Sequence, residues 1–183
     1  MLELVALSSD PDAASALAER IGGRLYLNHG RERDDRPYSA VVRGATDDLA
    51  ACTAAADVGL HVCYARAVKP EEPTPAAGRV IASFGLVGPS QMSHEAVDAH
   101  WRDVHAPLAL RSHSAMCDYT QISVLATLSG TPIDGIAMCA FRSREELSDR
   151  FFDDDAAKQA ILDDVAQFSD PHRSLRRVVL VEQ

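Results

Sequence analysis

The run Lys69-Pro-Glu-Glu-Pro-Thr-Pro-Ala-Ala-Gly78 divides this chain, and the hydrophobic periodicities on its two sides follow one another in the same order. Proline fixes φ and removes a backbone donor, so three prolines in this stretch make a stiff extended connector rather than part of a sheet or helix. The chain thus reads as residues 1–68, a connector at 69–78, and residues 79–183. In the first part Leu2 to Leu7 reads as a strand, and Asp10-Pro11 opens a helix with Ala14, Leu17, Ala18 and Ile21 along one face. Gly22-Gly23 stops it. Arg24 to Asn28 and Tyr38 to Val42 read as strands about the charged loop Gly30 to Arg36. Thr46 caps a second helix with Leu49, Cys52, Thr53 and Ala56 inward, and Val58 to Val68 is a strand.

In the second part Arg79 to Val87 is a strand, and a helix runs from Ser93 until Pro107 ends it. Asp118 to Leu128 and Ile133 to Phe141 are strands. Ser143 with Glu146 fits a capping box, Ala156 to Phe168 is a further helix, and Leu175 to Val181 is the last strand. Each half therefore reads β-α-β-β-α-β, the ferredoxin-like arrangement of an antiparallel sheet with its helices on one face. The bare face of such a sheet needs cover, and two copies supply it for each other. The predicted fold class is α+β: tandem ferredoxin-like repeats whose antiparallel sheets pack back to back as an α+β barrel around a hollow. A doubly wound α/β sheet is the alternative, but no glycine-rich phosphate loop follows any strand.

Composition narrows the partners. Eighteen lysines and arginines against 27 aspartates and glutamates give a net charge of −9, and the densest basic cluster is only Arg173, Arg176 and Arg177. Nucleic acid is set aside, because binding it requires clustered cations to displace counterions. No apolar run approaches the roughly 20 residues that cross a bilayer, and Met1 to Leu7 lacks a basic leader, so a cytoplasmic protein with no membrane partner is expected. Cys52, Cys63, Cys117 and Cys139 are widely spaced, without the pairs that mark zinc or redox sites, and read as buried hydrophobes.

The most informative segment is Met92-Ser93-His94-Glu95-Ala96-Val97-Asp98-Ala99-His100-Trp101-Arg102-Asp103-Val104-His105-Ala106-Pro107-Leu108. At about 100° per residue, Val97, Trp101 and Val104 form the buried stripe. His94, Asp98 and His105 lie on one margin and His100 on the other. Here the chain resembles the EthD domain family, a branch of the dimeric α+β barrel superfamily. The resemblance rests on His100-Trp101-x-x-x-His105-Ala-Pro-Leu108, on Tyr119 and Ile133-Asp134-Gly135 opening the next two strands, and on Phe168-x-Asp170. It spans about Arg79 to Gln183, and the first half reads as a diverged second copy. The resemblance implies a small-molecule pocket inside the barrel, chemistry without a bound cofactor, and relatives that include dehydratases, cyclases, isomerases and monooxygenases. Fold alone cannot choose among them.

Alternation along Asp118 to Leu128 directs Ile122, Val124 and Ala126 under the helices and Tyr119, Gln121 and Ser123 into the barrel. His105 is the first catalytic candidate, since imidazole takes and returns protons near neutral pH and the motif places a histidine there. Tyr119 is the second, as a donor to a developing oxyanion. His100, Trp101, Gln121, Ser123 and Asp134 are candidate substrate contacts, and His61 and Asn28 are further candidates to face the same space from the first half. No metal site is expected: His105 lies about 10 Å along the helix from Asp98, too far for one ion. The leading reading is a lyase or isomerase performing dehydration, cyclisation or isomerisation on a carbonyl-bearing or aromatic, polyketide-type metabolite. The alternatives are a carrier of a metabolite or haem, and an accessory subunit of an oxygenase system. Edge strands could join two chains into a homodimer.

Overall fold

Short apolar runs, several of them rich in β-branched residues, produce eight strands among the residues that the computed structural model describes, 2–28, 36–70 and 79–183. The connector beyond Pro70 and the charged loop before Arg36 lie outside these. The strands are β1 (Leu2–Ser8), β2 (Arg24–Asn28), β3 (Ala40–Gly44), β4 (Gly59–Lys69), β5 (Val80–Leu86), β6 (Asp118–Gly130), β7 (Gly135–Phe141) and β8 (Leu175–Glu182). They close into one antiparallel barrel in the order β1-β3-β2-β8-β5-β7-β6-β4. The first-half strands lie in the order β4-β1-β3-β2 and the second-half strands in the corresponding order β8-β5-β7-β6.

The two sets of strands do not simply stack back to back. They are hydrogen-bonded edge to edge, through β2 with β8 (Leu27 opposite Val181) and β4 with β6 (Tyr64 opposite Ser123). Every strand thereby has two neighbours, which removes the edges expected to join chains.

Nor do the described residues leave a roomy hollow inside. An eight-stranded barrel is just wide enough for its own side chains to fill. Every strand contributes to one buried cluster, with Val5, Tyr26, Val41, Cys63, Ile81, Ile122, Ile136 and Leu180 all inward. Beside Tyr26, Arg43 and Arg79 at one end, a void of about 20 Å³ would hold one water. The pocket expected inside the barrel therefore has to be elsewhere.

The helices cover the outer surface. In the first half α1 (Pro11–Ile21) and α2 (Leu49–Ala55) bury Ala14, Leu17, Cys52 and Ala55 against Ala6, Val42 and Leu60. Asp48 rather than Thr46 caps α2, accepting from the Ala51 amide, and Leu49 and Thr53 point outward instead of inward. In the second half α3 (His94–His100) runs into a π-helical turn (Trp101–His105) and then α4 (Ala106–Ser112), followed by α5 (Arg144–Asp149) and α6 (Asp155–Phe168).

Pro107 does not end the helix as expected. The wider turn before it absorbs the misfit of a residue with no N–H to donate, and the Ala106 amide reaches back to the Trp101 carbonyl. The turn also changes the buried stripe. A regular helix would turn Val104 inward, whereas the π turn leaves Val104 half exposed and brings His105 in beside Trp101.

Candidate functional site

The main cavity, about 320 Å³, lies outside the barrel, between the outer face of β5–β8 and the helices of the second half. Phe84, Tyr119 and Cys139 form its floor, Trp101, His105, Ala109 and His113 one wall, and Val165 and Phe168 of α6 another. Phe151 and Phe152 close one end. The lining is aromatic and aliphatic with a few polar atoms, the usual form of a small-ligand site.

Its location reverses the expected parity of β6. Ile122 and Val124 belong to the barrel interior, while Tyr119 packs with Ala106, Ala109 and Ile161 under the helices. The polar residues of this strand face outward because the helices bring partners for them. The indole Nε1–H of Trp101 donates to the Tyr119 hydroxyl at 3.0 Å, and the Gln121 amide donates to the same oxygen at 3.1 Å. Gln121 also donates to the Trp101 carbonyl at 2.9 Å and accepts from Arg66. Arg66 forms a two-pronged pair with Asp98, at 2.8 and 2.9 Å, and Ser123 completes that cluster by bonding to Asp98. Burial pushes the Asp98 carboxyl up, but the bonds from Arg66 and Ser123 outweigh it and hold the group below its usual range.

His105 has the most reactive setting. Its Nδ1–H donates to Asp164 of α6 at 2.7 Å, which leaves Nε2 as the atom that carries the lone pair. Burial lowers the pKa of this imidazole below the ordinary 6.5, and Asp164 only partly opposes the shift. At neutral pH His105 is therefore an uncharged base. The other oxygen of Asp164 accepts from His100 Nε2 at 2.8 Å, and the His100 ring stacks on Phe168 with centroids 4.9 Å apart. The two histidines expected on opposite margins meet at one carboxylate because five residues complete a single π turn. His105 thus has the three-part arrangement of a positioned acid–base group: a buried carboxylate, an oriented ring and a free nitrogen on a cavity.

Of the residues singled out in the sequence, His105, Tyr119 and Trp101 line this cavity. His100, Gln121 and Ser123 stand behind it as partners of Asp164, Tyr119 and Asp98. Asp134 is elsewhere, accepting from the Gly88 amide at 2.7 Å and bonded to His94 at 3.1 Å. His94 is thus engaged by Asp134, and Asp98 by Arg66 and Ser123. His61, opposite the inward-facing Val5, is turned to the barrel interior and does not line the cavity, and its Nδ1 lies 3.1 Å from the Thr127 hydroxyl. Asn28 is at the end of β2 in the other half.

Asp164 and His113 were missed. The acidic pair Asp163-Asp164 reads as a solvated surface, yet Asp164 shares a helical face with Ile161, Val165 and Phe168, and an acid on an apolar face signals a buried partner. His113 carried no comparable signal.

Residues 89–172 match the family described as the EthD domain. The second half carries an EthD domain. The match includes the Trp101-to-His105 turn and Asp164. Two solved structures share the fold. One is titled as an anthrone oxidase-like protein, 11% identical over 100% of this chain and 90% of its own, with a TM-score of 0.57. The other, from Fusobacterium nucleatum subsp. nucleatum ATCC 25586, is a candidate monooxygenase, 6% identical over 99% of this chain and 91% of its own, with a TM-score of 0.56. No curated protein matches the chain. The EthD segment thus supplies the motif helix, the cavity floor from β6 and β7, and the α6 carboxylate.

Proposed function

We propose that the cavity binds a planar carbonyl-bearing or aromatic metabolite and that His105, oriented by Asp164, moves a proton on it. The observation that carries this reading is the 2.7 Å bond from His105 Nδ1 to Asp164 beside an apolar cavity. A C–H bond next to the substrate carbonyl gives its proton to His105 Nε2, and the electron pair moves onto the carbonyl oxygen as an enolate. Both lone pairs of the Tyr119 hydroxyl are occupied by Trp101 and Gln121, so its proton is the part left to donate to that oxygen. The imidazolium then returns the proton to another carbon, an isomerisation, or to a departing hydroxyl, a dehydration. Cyclisation uses the same enolate as nucleophile.

The test is isotopic. Incubated with 2-tetralone in D₂O, the protein should accelerate deuterium entry beside the carbonyl, followed by proton NMR. His105→Gln should lose that acceleration by about 10²-fold or more with its circular dichroism unchanged. Equal exchange by the variant, or binding of the probe with no acceleration by the wild type, overturns the assignment, the latter in favour of a carrier.

The same reading treats the halves as diverged copies of one ferredoxin-like unit, supported by their matching strand orders. It also takes the protein as a cytoplasmic homodimer that joins through helical or outer-face side chains. No helix among the described residues is long and apolar enough to cross a membrane. Sedimentation at micromolar concentration tests the dimer, and a monomer would refute it.

A further inference from the structure

His113 follows α4 and has its own fixed tautomer. Its Nδ1 bonds to the Phe151 carbonyl, and because a carbonyl oxygen only accepts, that nitrogen carries the hydrogen. The other nitrogen, Nε2, holds a lone pair and has no hydrogen-bond partner among the described residues. The ring is buried against Phe151 and Phe152, with centroids 4.8 and 5.2 Å away, and it lines the same cavity as His105. His105 is fixed in the same sense by Asp164, so two imidazoles each bring a bare acceptor to one apolar cavity. They are eight residues apart on a nearly continuous helix, about 12 Å along its axis. Trp101 and Phe168 stand near the His105 end, and Phe151 and Phe152 near the His113 end.

We propose that His113 Nε2 is the second polar anchor of the cavity, so that its ligand is an elongated aromatic molecule with a hydrogen-bond donor, such as a hydroxyl, at each end. This rests on the reading that the cavity holds a ligand, and it assigns His113 to recognition rather than to proton transfer. A group that can only accept, such as a carboxylate, finds no donor in the His113 imidazole at neutral pH, because burial lowers its pKa and keeps it neutral. The charged or titratable groups that act on His113 include Asp153 of the following loop and His105 across the cavity.

The test compares 2,6-dihydroxynaphthalene with 2-naphthol, with binding followed through Trp101, the only tryptophan in the chain. The wild type should bind the diol about 3- to 10-fold more tightly, the gain expected of one added hydrogen bond. In His113→Phe the two probes should bind within 2-fold of each other. A purely structural tie from His113 to Phe151 would leave the diol-to-naphthol ratio unchanged. If His113→Phe does not fold, the imidazole ¹⁵N spectrum of the wild type decides: saturation with the diol should move Nε2 of both His105 and His113. An unmoved His113 Nε2, or no advantage for the diol in the wild type, refutes the second anchor and leaves the His105 proposal standing. Failure of both probes to bind refutes both.

Discussion

Trp101 hangs from Tyr119: the indole Nε1–H donates to the phenol oxygen at 3.0 Å, and this bond joins the motif helix to the strand beneath it. The indole that walls the cavity is placed by a side chain from its floor. Tyr119→Phe removes the acceptor from two buried donors, Trp101 and Gln121, and should cost about 1–3 kcal/mol. Urea unfolding followed by tryptophan fluorescence measures it, with a change in the folded emission as well.

Gly135 leaves the room that this indole occupies. A Cβ there would lie 2.4 Å from Trp101 Cζ3 and 3.1 Å from the Ile122 carbonyl. Gly135→Ala should therefore displace the ring, lowering stability by about 1–3 kcal/mol and shifting the emission of the folded protein. An unchanged spectrum would mean that the strand, rather than the indole, gives way.

Asp164→Asn tests the orientation of His105. An amide cannot accept on both atoms, so His100 and His105 compete for one oxygen and the His105 tautomer is no longer enforced. Exchange activity should fall about 10²-fold or more. The pH profile adds a sign. Asp164 raises a His105 pKa that burial holds below 6.5, so its removal should move the acidic limb to still lower pH. A limb that moves upward would contradict the assignment.

His61 should govern part of the acid sensitivity of the barrel. Its Nε2 has no partner among the described residues, and burial lowers its pKa from 6.5 to about 4. Between those values the unfolded chain binds the extra proton, so the contribution is complete above pH 6.5 and is lost as pH falls towards 4. The loss amounts to roughly 3 kcal/mol at one pKa unit per ~1.4 kcal/mol. His61→Gln should flatten the slope of unfolding free energy over that window, measured against wild type by urea titration.

The order of elements was legible because each signal is local: three- and four-residue spacing in α1 and α6, short apolar runs in β1 and β7, and caps such as Ser143. His105 and Trp101 were legible from their motif. The face of β6 was not, because both of its faces are buried. The rule that polar residues line a pocket failed at Gln121 and Ser123, whose partners Arg66 and Asp98 come from β4 and α3. The closed barrel depended on β2–β8 and β4–β6 pairings between halves, and a sequence does not mark which edges meet. The convergence of His100 and His105 depended on the π turn, which regular helical geometry does not foresee.

A crystal structure with bound 2-naphthol tests the central claim most directly. The account predicts the ring between the β5–β8 face and α6, beside Phe168, with its hydroxyl bonded to Nε2 of either His105 or His113. Naphthol inside the strand barrel, or in the helical cavity with its hydroxyl turned away from both imidazoles, would contradict it.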